Sequence, residues 1–384
     1  MQVASFAVAA LYSGMWFLRW ARAGAEERMW PLLGWFCGTI CAGSVAGAVA
    51  WVLQMKSNAL FYEANAESAS PLQYLTLNAS SFRNFAAFLL LYALEFLFLS
   101  ISKLVMLGRL TDNAAQSSQA DAVEMRSVKR KYLSGRGLQT MYKLMAGAVL
   151  LGSAVGVVAN AVSASYYVQN ARLYDAAAAA CDAAGNNTDT SLQLAREGRA
   201  FNAKASTGIS VQAVSEALTL LLVTLSFLVI VSWCVALFRV AEGVAANALL
   251  AASRRTDMQR AGQRMSAIVE DTMHAAAEQR RRLTAACVTI LITFPVRAAF
   301  DFMYAYSEIN NSGRSPACGI CDACQSRQVL VNVWLNYTPE FQAVVVAVSS
   351  PLPLTLSLWL LTKAHARARL ITTKVQRAVL GNGV

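Results

Sequence analysis

Seven apolar runs divide the chain, at about 3–18, 30–55, 85–107, 142–165, 211–237, 284–306 and 341–361. Their apolar positions do not alternate with a period of two, which excludes the strands of a membrane barrel. Most reach the roughly 20 residues that an α-helix needs to cross hydrocarbon, where all backbone polar groups must be satisfied internally. The pattern predicts an all-α polytopic membrane protein with seven transmembrane helices. No Pro-rich or Gly/Ser-rich linker interrupts it, so 1–384 reads as a single transmembrane domain.

Polar segments between the runs set the orientation. With Lys103, Lys143, Arg239 and Lys363 counted as cytosolic residues at span borders, those after runs 1, 3, 5 and 7 hold 3, 8, 8 and 5 Lys/Arg residues, while those after runs 2, 4 and 6 hold 2, 4 and 2. Positive residues collect on the cytosolic side, so the N-terminus is expected outside and the C-terminus in the cytosol. Arg19, Arg22 and Arg28 follow the first run and no basic residue precedes it, the charge order of a retained anchor with no ectodomain ahead of it. Three N-x-S/T sequons, at Asn78, Asn186 and Asn310, fall on the predicted outer side and are glycosylation candidates.

Composition sharpens the picture. Hydrophobic residues make up 56% and charged residues 14%, about half the usual ~25%, and mean hydropathy is +0.42. A net charge of +11 would suggest nucleic acid in a soluble protein, but here basic loops suffice to explain it and no nucleic-acid role is expected. The cluster Arg126, Lys129, Arg130, Lys131 and Arg136 reads as a stop-transfer flank, or as a site for anionic lipid. Gly34, Gly38, Ala42, Ala46 and Ala50 on span 2, with Ala148, Gly152, Gly156 and Asn160 on span 4, form small-residue stripes that permit close helix approach or contact in a homo-oligomer.

Spans 5 and 6 are expected to continue beyond the bilayer as a cytosolic helical hairpin. The stretch 239–283 has no proline and is rich in Ala, Gln, Glu, Met and Arg, with a turn near 253–262. It offers a surface for a cytosolic protein. Helix is also expected to run on from span 4 through the Ala-rich stretch 175–184. On the outer side lie Cys181, Cys318, Cys321 and Cys324, an even number in an oxidising compartment. Disulfides are expected rather than zinc, because no histidine lies there to complete a metal site. Sequons and cysteines together indicate the plasma membrane or another secretory-pathway membrane of a eukaryote.

Candidate chemistry lies at membrane depth. Arg297 and Asp301, at i,i+4 spacing just after Pro295, sit inside span 6, and Glu95 sits near the centre of span 3. Buried intramembrane charges face the protein interior and seek partners. A cluster of Glu95, Arg297 and Asp301 is therefore expected, joined by Asn160 or Tyr304. It serves either as a lock that fixes which helices meet or as a ligand, ion or switch site.

Catalysis is not expected. The chain has 2 histidines, His274 and His365, both in predicted cytosolic segments, and no phosphate-binding Gly-rich loop. No cofactor is implied. Seven spans with the N-terminus outside resemble the G-protein-coupled receptor and rhodopsin plans. Span 3 nevertheless ends Lys103-Leu-Val-Met-Leu-Gly-Arg109 in place of an acidic-Arg-Tyr motif, and span 7 carries no retinal-binding lysine. The resemblance is one of topology, and it implies a receptor- or sensor-like protein. Alternatives are a subunit of an oligomeric channel or transporter, or a membrane scaffold or assembly subunit.

Overall fold

A computed structural model describes residues 2–22, 33–120, 135–183, 188–253 and 259–311, together with 345, 352–356 and 358–359. Its six long helices are α1 (Gln2–Arg22), α2 (Leu33–Ala64), α3 (Pro71–Ala120), α4 (Gly135–Ala183), α5 (Thr188–Ser253) and α6 (Gln259–Asn311). Among the described residues there is no strand. Five segments are long and apolar enough to cross a membrane: Leu33–Ala64, Pro71–Asp112, Gly137–Asp182, Asp189–Ile230 and Val288–Ile309. The first predicted span is helical as α1, but Tyr12, Ser13, Gly14 and Trp16 dilute it and it is not among those five. Most of run 341–361 lies outside the described residues, although Leu354 and Leu358 are fully buried in the main core.

Consecutive helices pack antiparallel, and small residues set their register. Along α2 and α3, Thr39 bonds Ser102 at 2.8 Å and the Ser57 hydroxyl donates to the Ser81 carbonyl at 2.9 Å. Between them Gly43 faces Leu99, and Gly47 faces Glu95. Gly34 abuts the Trp20 ring of α1. On α4, Gly152 lies against Thr219 of α5 and accepts a 2.8 Å bond from Ser215 at its carbonyl. Gly34 and Gly38 of the first stripe and Gly152 of the second therefore meet partners within the chain, whereas Ala148 is exposed. Val8, Leu11, Met15, Leu151, Val155 and Val158 point outward, as side chains bathed in lipid do.

The helices overshoot a bilayer. At 1.5 Å per residue, the 66 residues of α5 span roughly 100 Å against about 30 Å of hydrocarbon. Overshoot at the α5–α6 end was expected, and the bounds of α5 and α6 at Ser253 and Gln259 fall within the predicted turn region 253–262. At the opposite end the sequence reading was too short. The expected polar connection 56–84 is largely helix, because Ser70 and Gln73 form a capping box (Ser70 N to Gln73 Oε1 3.0 Å, Gln73 N to Ser70 Oγ 3.2 Å) that starts α3 at Pro71. The expected continuation of α4 runs to Ala183. Here Leu75, Ala79, Tyr174, Ala177, Ala178 and Ala195 form a second core.

In the same stretch of α3, the Asn78 side chain is 2% exposed and donates to the Tyr74 carbonyl at 2.8 Å. Asn310 falls in the last turn of α6 rather than in a loop. Asn186, Cys318, Cys321, Cys324, Arg126, Lys129, Arg130 and Lys131 lie outside the described residues, and Arg136 falls in the first turn of α4. Cys181 carries a free thiol, so no disulfide is found among the described residues.

Candidate functional site: a buried arginine network between three helices

Helical spacing assembles the site. On α6 Arg297, Asp301 and Tyr304 share one face at i, i+4 and i+7, and on α5 Gln212 and Glu216 share another at i, i+4. Tyr92 of α3 closes the triangle. Arg297 Nε lies 3.1 Å from Asp301 Oδ1, and its Nη2 lies 3.1 Å from Glu216 Oε1. Nη2 also donates to the Tyr92 hydroxyl. That hydroxyl in turn donates to Glu216 Oε2 at 2.7 Å, and Gln212 Nε2 donates to the same oxygen at 2.6 Å. The guanidinium carbon sits 5.7 Å from the Tyr92 ring centre and 5.5 Å from that of Phe300. A planar fork stacked between rings and shared by two carboxylates suits arginine and not lysine.

Arg297, Glu216 and Asp301 are each 3% exposed. Their attraction must therefore outweigh a desolvation cost of several kcal/mol per ion, helped by the hydrogen bonds that Tyr92 and Gln212 give to Glu216. Tyr92 is the hinge of this arrangement. Tyr92→Phe removes a hydroxyl that accepts from Arg297 and donates to Glu216. A loss of about 1–3 kcal/mol is expected, read as a lower unfolding midpoint in mild detergent. No change would mean the hydroxyl is hydrated rather than bridging.

The site differs in membership from the expected cluster. The pairing of Arg297 with Asp301 is present, but the second counter-ion is Glu216 of α5 and not Glu95. Rotation about the helix axis decides which carboxylate meets Arg297. Tyr92 faces α6, while Glu95, three residues on, has an oxygen against Gly47 of α2. Asn160 does not join either: it is fully buried on α4 and both side-chain polar atoms lack partners among the described residues. Tyr304 lines the adjoining cavity.

Sequence reasoning missed Lys103 as well. Counted as a cytosolic border residue, it is 3% exposed, with its ammonium 4.6 Å from the Phe294 ring and 5.8 Å from that of Phe96. The signal was present in the apolar stretch Leu104–Leu107 beyond it. Such cation–π contacts strengthen when desolvated.

Beside the network lies a cavity of about 30 Å³, room for a water or two. Trp51 and Gln54 of α2, Tyr92, Gln212, Arg297 and Asp301 line it. Four of its lining residues present polar atoms without partners among the described residues: the donors Trp51 Nε1 and Arg297 Nη1, and the acceptors Gln54 Oε1 and Asp301 Oδ2. Buried polar atoms in native proteins nearly always find partners, so a wall carrying both kinds is suited to a guest that donates and accepts. No group of three or more potential metal ligands occurs among the described residues.

No family model, no curated protein and no solved structure matches this chain. Its class rests on its own physics. Its described residues are helical, and five apolar helices are long enough to cross a membrane, compatible with an integral membrane protein in contact with a lipid bilayer, around an ion-paired core.

Proposed function

We propose that this chain is a receptor- or sensor-like membrane protein without catalytic activity, in which the Arg297 network and the cavity beside it form the ligand-responsive site. The observation that carries this reading is a cavity lined by four residues that each hold a buried donor or acceptor without a partner among the described residues. A site with a free arginine donor, an indole N–H, an amide oxygen and a carboxylate oxygen matches a small zwitterion or polar amine. Ligand pockets usually measure some 300–1,000 Å³, so the described state is closed. A ligand would select a state in which α3, α5 and α6 part, which supplies the differential affinity that a sensor requires. In this reading seven spans place the N-terminus outside, in the plasma membrane or another secretory-pathway membrane of a eukaryote. The extensions of α5 and α6 at 239–283 meet a cytosolic protein, and basic cytosolic segments meet anionic lipid.

Titrating purified protein with small amino acids and amines while following tryptophan emission tests the proposal. A saturable change that Trp51→Phe and Arg297→Met both abolish is the expected result. A flat response across the panel would overturn it.

A second reading, a subunit of an oligomeric channel or transporter, is favoured by one specific observation. Lys103, Glu95, Glu216, Arg297, Asp301 and Glu308 are all buried along the bundle, and such rows of intramembrane ionisable groups mark ion paths. Current in planar bilayers that Glu95→Gln and Arg297→Met both alter would establish it. Silence from well-folded protein would remove it.

A further inference from the structure

Among the described residues four buried acids, Glu95, Glu216, Asp301 and Glu308, face two buried bases, Lys103 and Arg297. Glu308 lies two turns beyond Asp301, beside Ser206, which leaves three acids and two bases around the Arg297 network. Glu216 accepts from Arg297, Tyr92 and Gln212, and Asp301 is ion-paired with Arg297. Glu95 stands apart. Among the described residues no cation lies within ion-pairing distance of it, and its Oε2 has no donor.

Its surroundings are apolar. A Cβ built on Gly47 of α2 would come within 2.9 Å of Glu95 Oε2 and 2.6 Å of the Phe6 ring of α1. One turn before Gly47 on α2, the hydroxyl of Ser44 is fully buried and also lacks a partner among the described residues. The charged groups whose fields reach Glu95 are Arg297 of α6, Glu216 of α5 and Lys103 of its own helix. The contacts from α1 and α2, Phe6 and Gly47, do not titrate.

We propose that Glu95 is a proton-binding site. In the resting bundle it is a neutral carboxylic acid, and through it the interior gains or loses one unit of charge without breaking the Arg297 ion pairs. With Glu95 neutral, Glu216 and Asp301 cancel Lys103 and Arg297 around the network. A bound metal cation fits less well, because hard cations collect six or more oxygens and the contact residues Phe6 and Gly47 contribute no side-chain oxygen. Release of the proton leaves an unpaired charge against the α1–α2 face, a state that charged groups at membrane depth avoid. It therefore favours a rearrangement at the α2–α3 seam, toward water or toward Lys103 two turns along the helix. This inference stands independently of the ligand reading.

Infrared spectroscopy of the full chain in lipid nanodiscs near neutral pH tests it, by the stretching band of a protonated carboxyl and its shift in D₂O. Wild type is expected to show the band, Glu95→Gln to lose it and Asp301→Asn to keep it. Should Glu95→Gln not fold, a band that persists in Asp301→Asn, Glu216→Gln and Glu308→Gln alike still assigns the proton to Glu95. A wild type without the band overturns the proposal, as does a band that survives Glu95→Gln or vanishes in Asp301→Asn. Absence of the band together with stabilisation by sodium over choline, lost in Glu95→Gln, would replace the proton with a bound cation.

Discussion

Arg297→Met is expected to destabilise the protein by about 3–5 kcal/mol, because it leaves Glu216 and Asp301 buried without their shared cation. The two carboxylates are each 3% exposed. Water cannot screen them unless the helices separate. The loss should appear as a lower unfolding midpoint and a smaller monodisperse fraction in mild detergent. The informative companion is the triple variant Arg297→Met, Glu216→Leu, Asp301→Leu. Replacing a whole buried ionic set by apolar side chains is often neutral or stabilising by 1–4 kcal/mol, so the triple variant should recover most of the loss. If it recovers stability and also retains the amino-acid response described above, the network is a packing lock and nothing more. If it recovers stability and loses the response, the charges are kept for function. An Arg297→Met protein within about 1 kcal/mol of wild type would instead mark the pairs as solvated, the range measured for exposed ion pairs.

Gly208→Val is expected to have the other large effect, through α4–α5 packing. A Cβ built at Gly208 falls 2.1 Å from Ser163 Oγ and 3.0 Å from the Ala159 carbonyl oxygen. The serine cannot simply turn away without cost, since its hydroxyl donates to the Ala205 carbonyl at 2.9 Å. The carbonyl belongs to the α4 backbone and can move only with the helix. Overpacking typically costs 1–3 kcal/mol and the displaced hydrogen bond about 1 more. Adding Ser163→Ala should recover part of the loss and leave the part due to the backbone clash. Gly147→Ala serves as the control: nothing lies within 4 Å of its built Cβ, and the gain in helix propensity, up to about 1 kcal/mol, predicts no loss. A Gly208→Val protein as stable as wild type would show that α4 and α5 approach less closely than described.

These two sites show what a linear reading can and cannot see. Apolar run length located the segments of α2 to α6 that are long and apolar enough to cross a membrane, and the absence of proline over 239–283 foresaw the helical extensions of α5 and α6. Both are properties of a single helix, decided by local hydrophobicity and propensity. The rarity of charge in apolar runs singled out Arg297, Asp301 and Glu95, because burying an ion is costly wherever it happens. The capping box at Ser70–Gln73 was equally legible and went unread, so α3 was begun fourteen residues too late.

Partnership was another matter. Which carboxylate meets Arg297 depends on the rotation of α3 and α5 about their own axes. That rotation is fixed by contacts distant in sequence, such as Gly43 and Gly47 of α2 against Leu99 and Glu95, or Gly152 of α4 against Thr219. A turn of one helix by a single residue's 100° would exchange Tyr92 for another side chain. Sequence by itself determined that this chain is helical, apolar and carries charges it must pair inside. Only the tertiary structure decided that Glu216 and Tyr92 pair with Arg297 while Glu95 stands alone, because helix rotation is settled by close packing between segments and leaves no local signature.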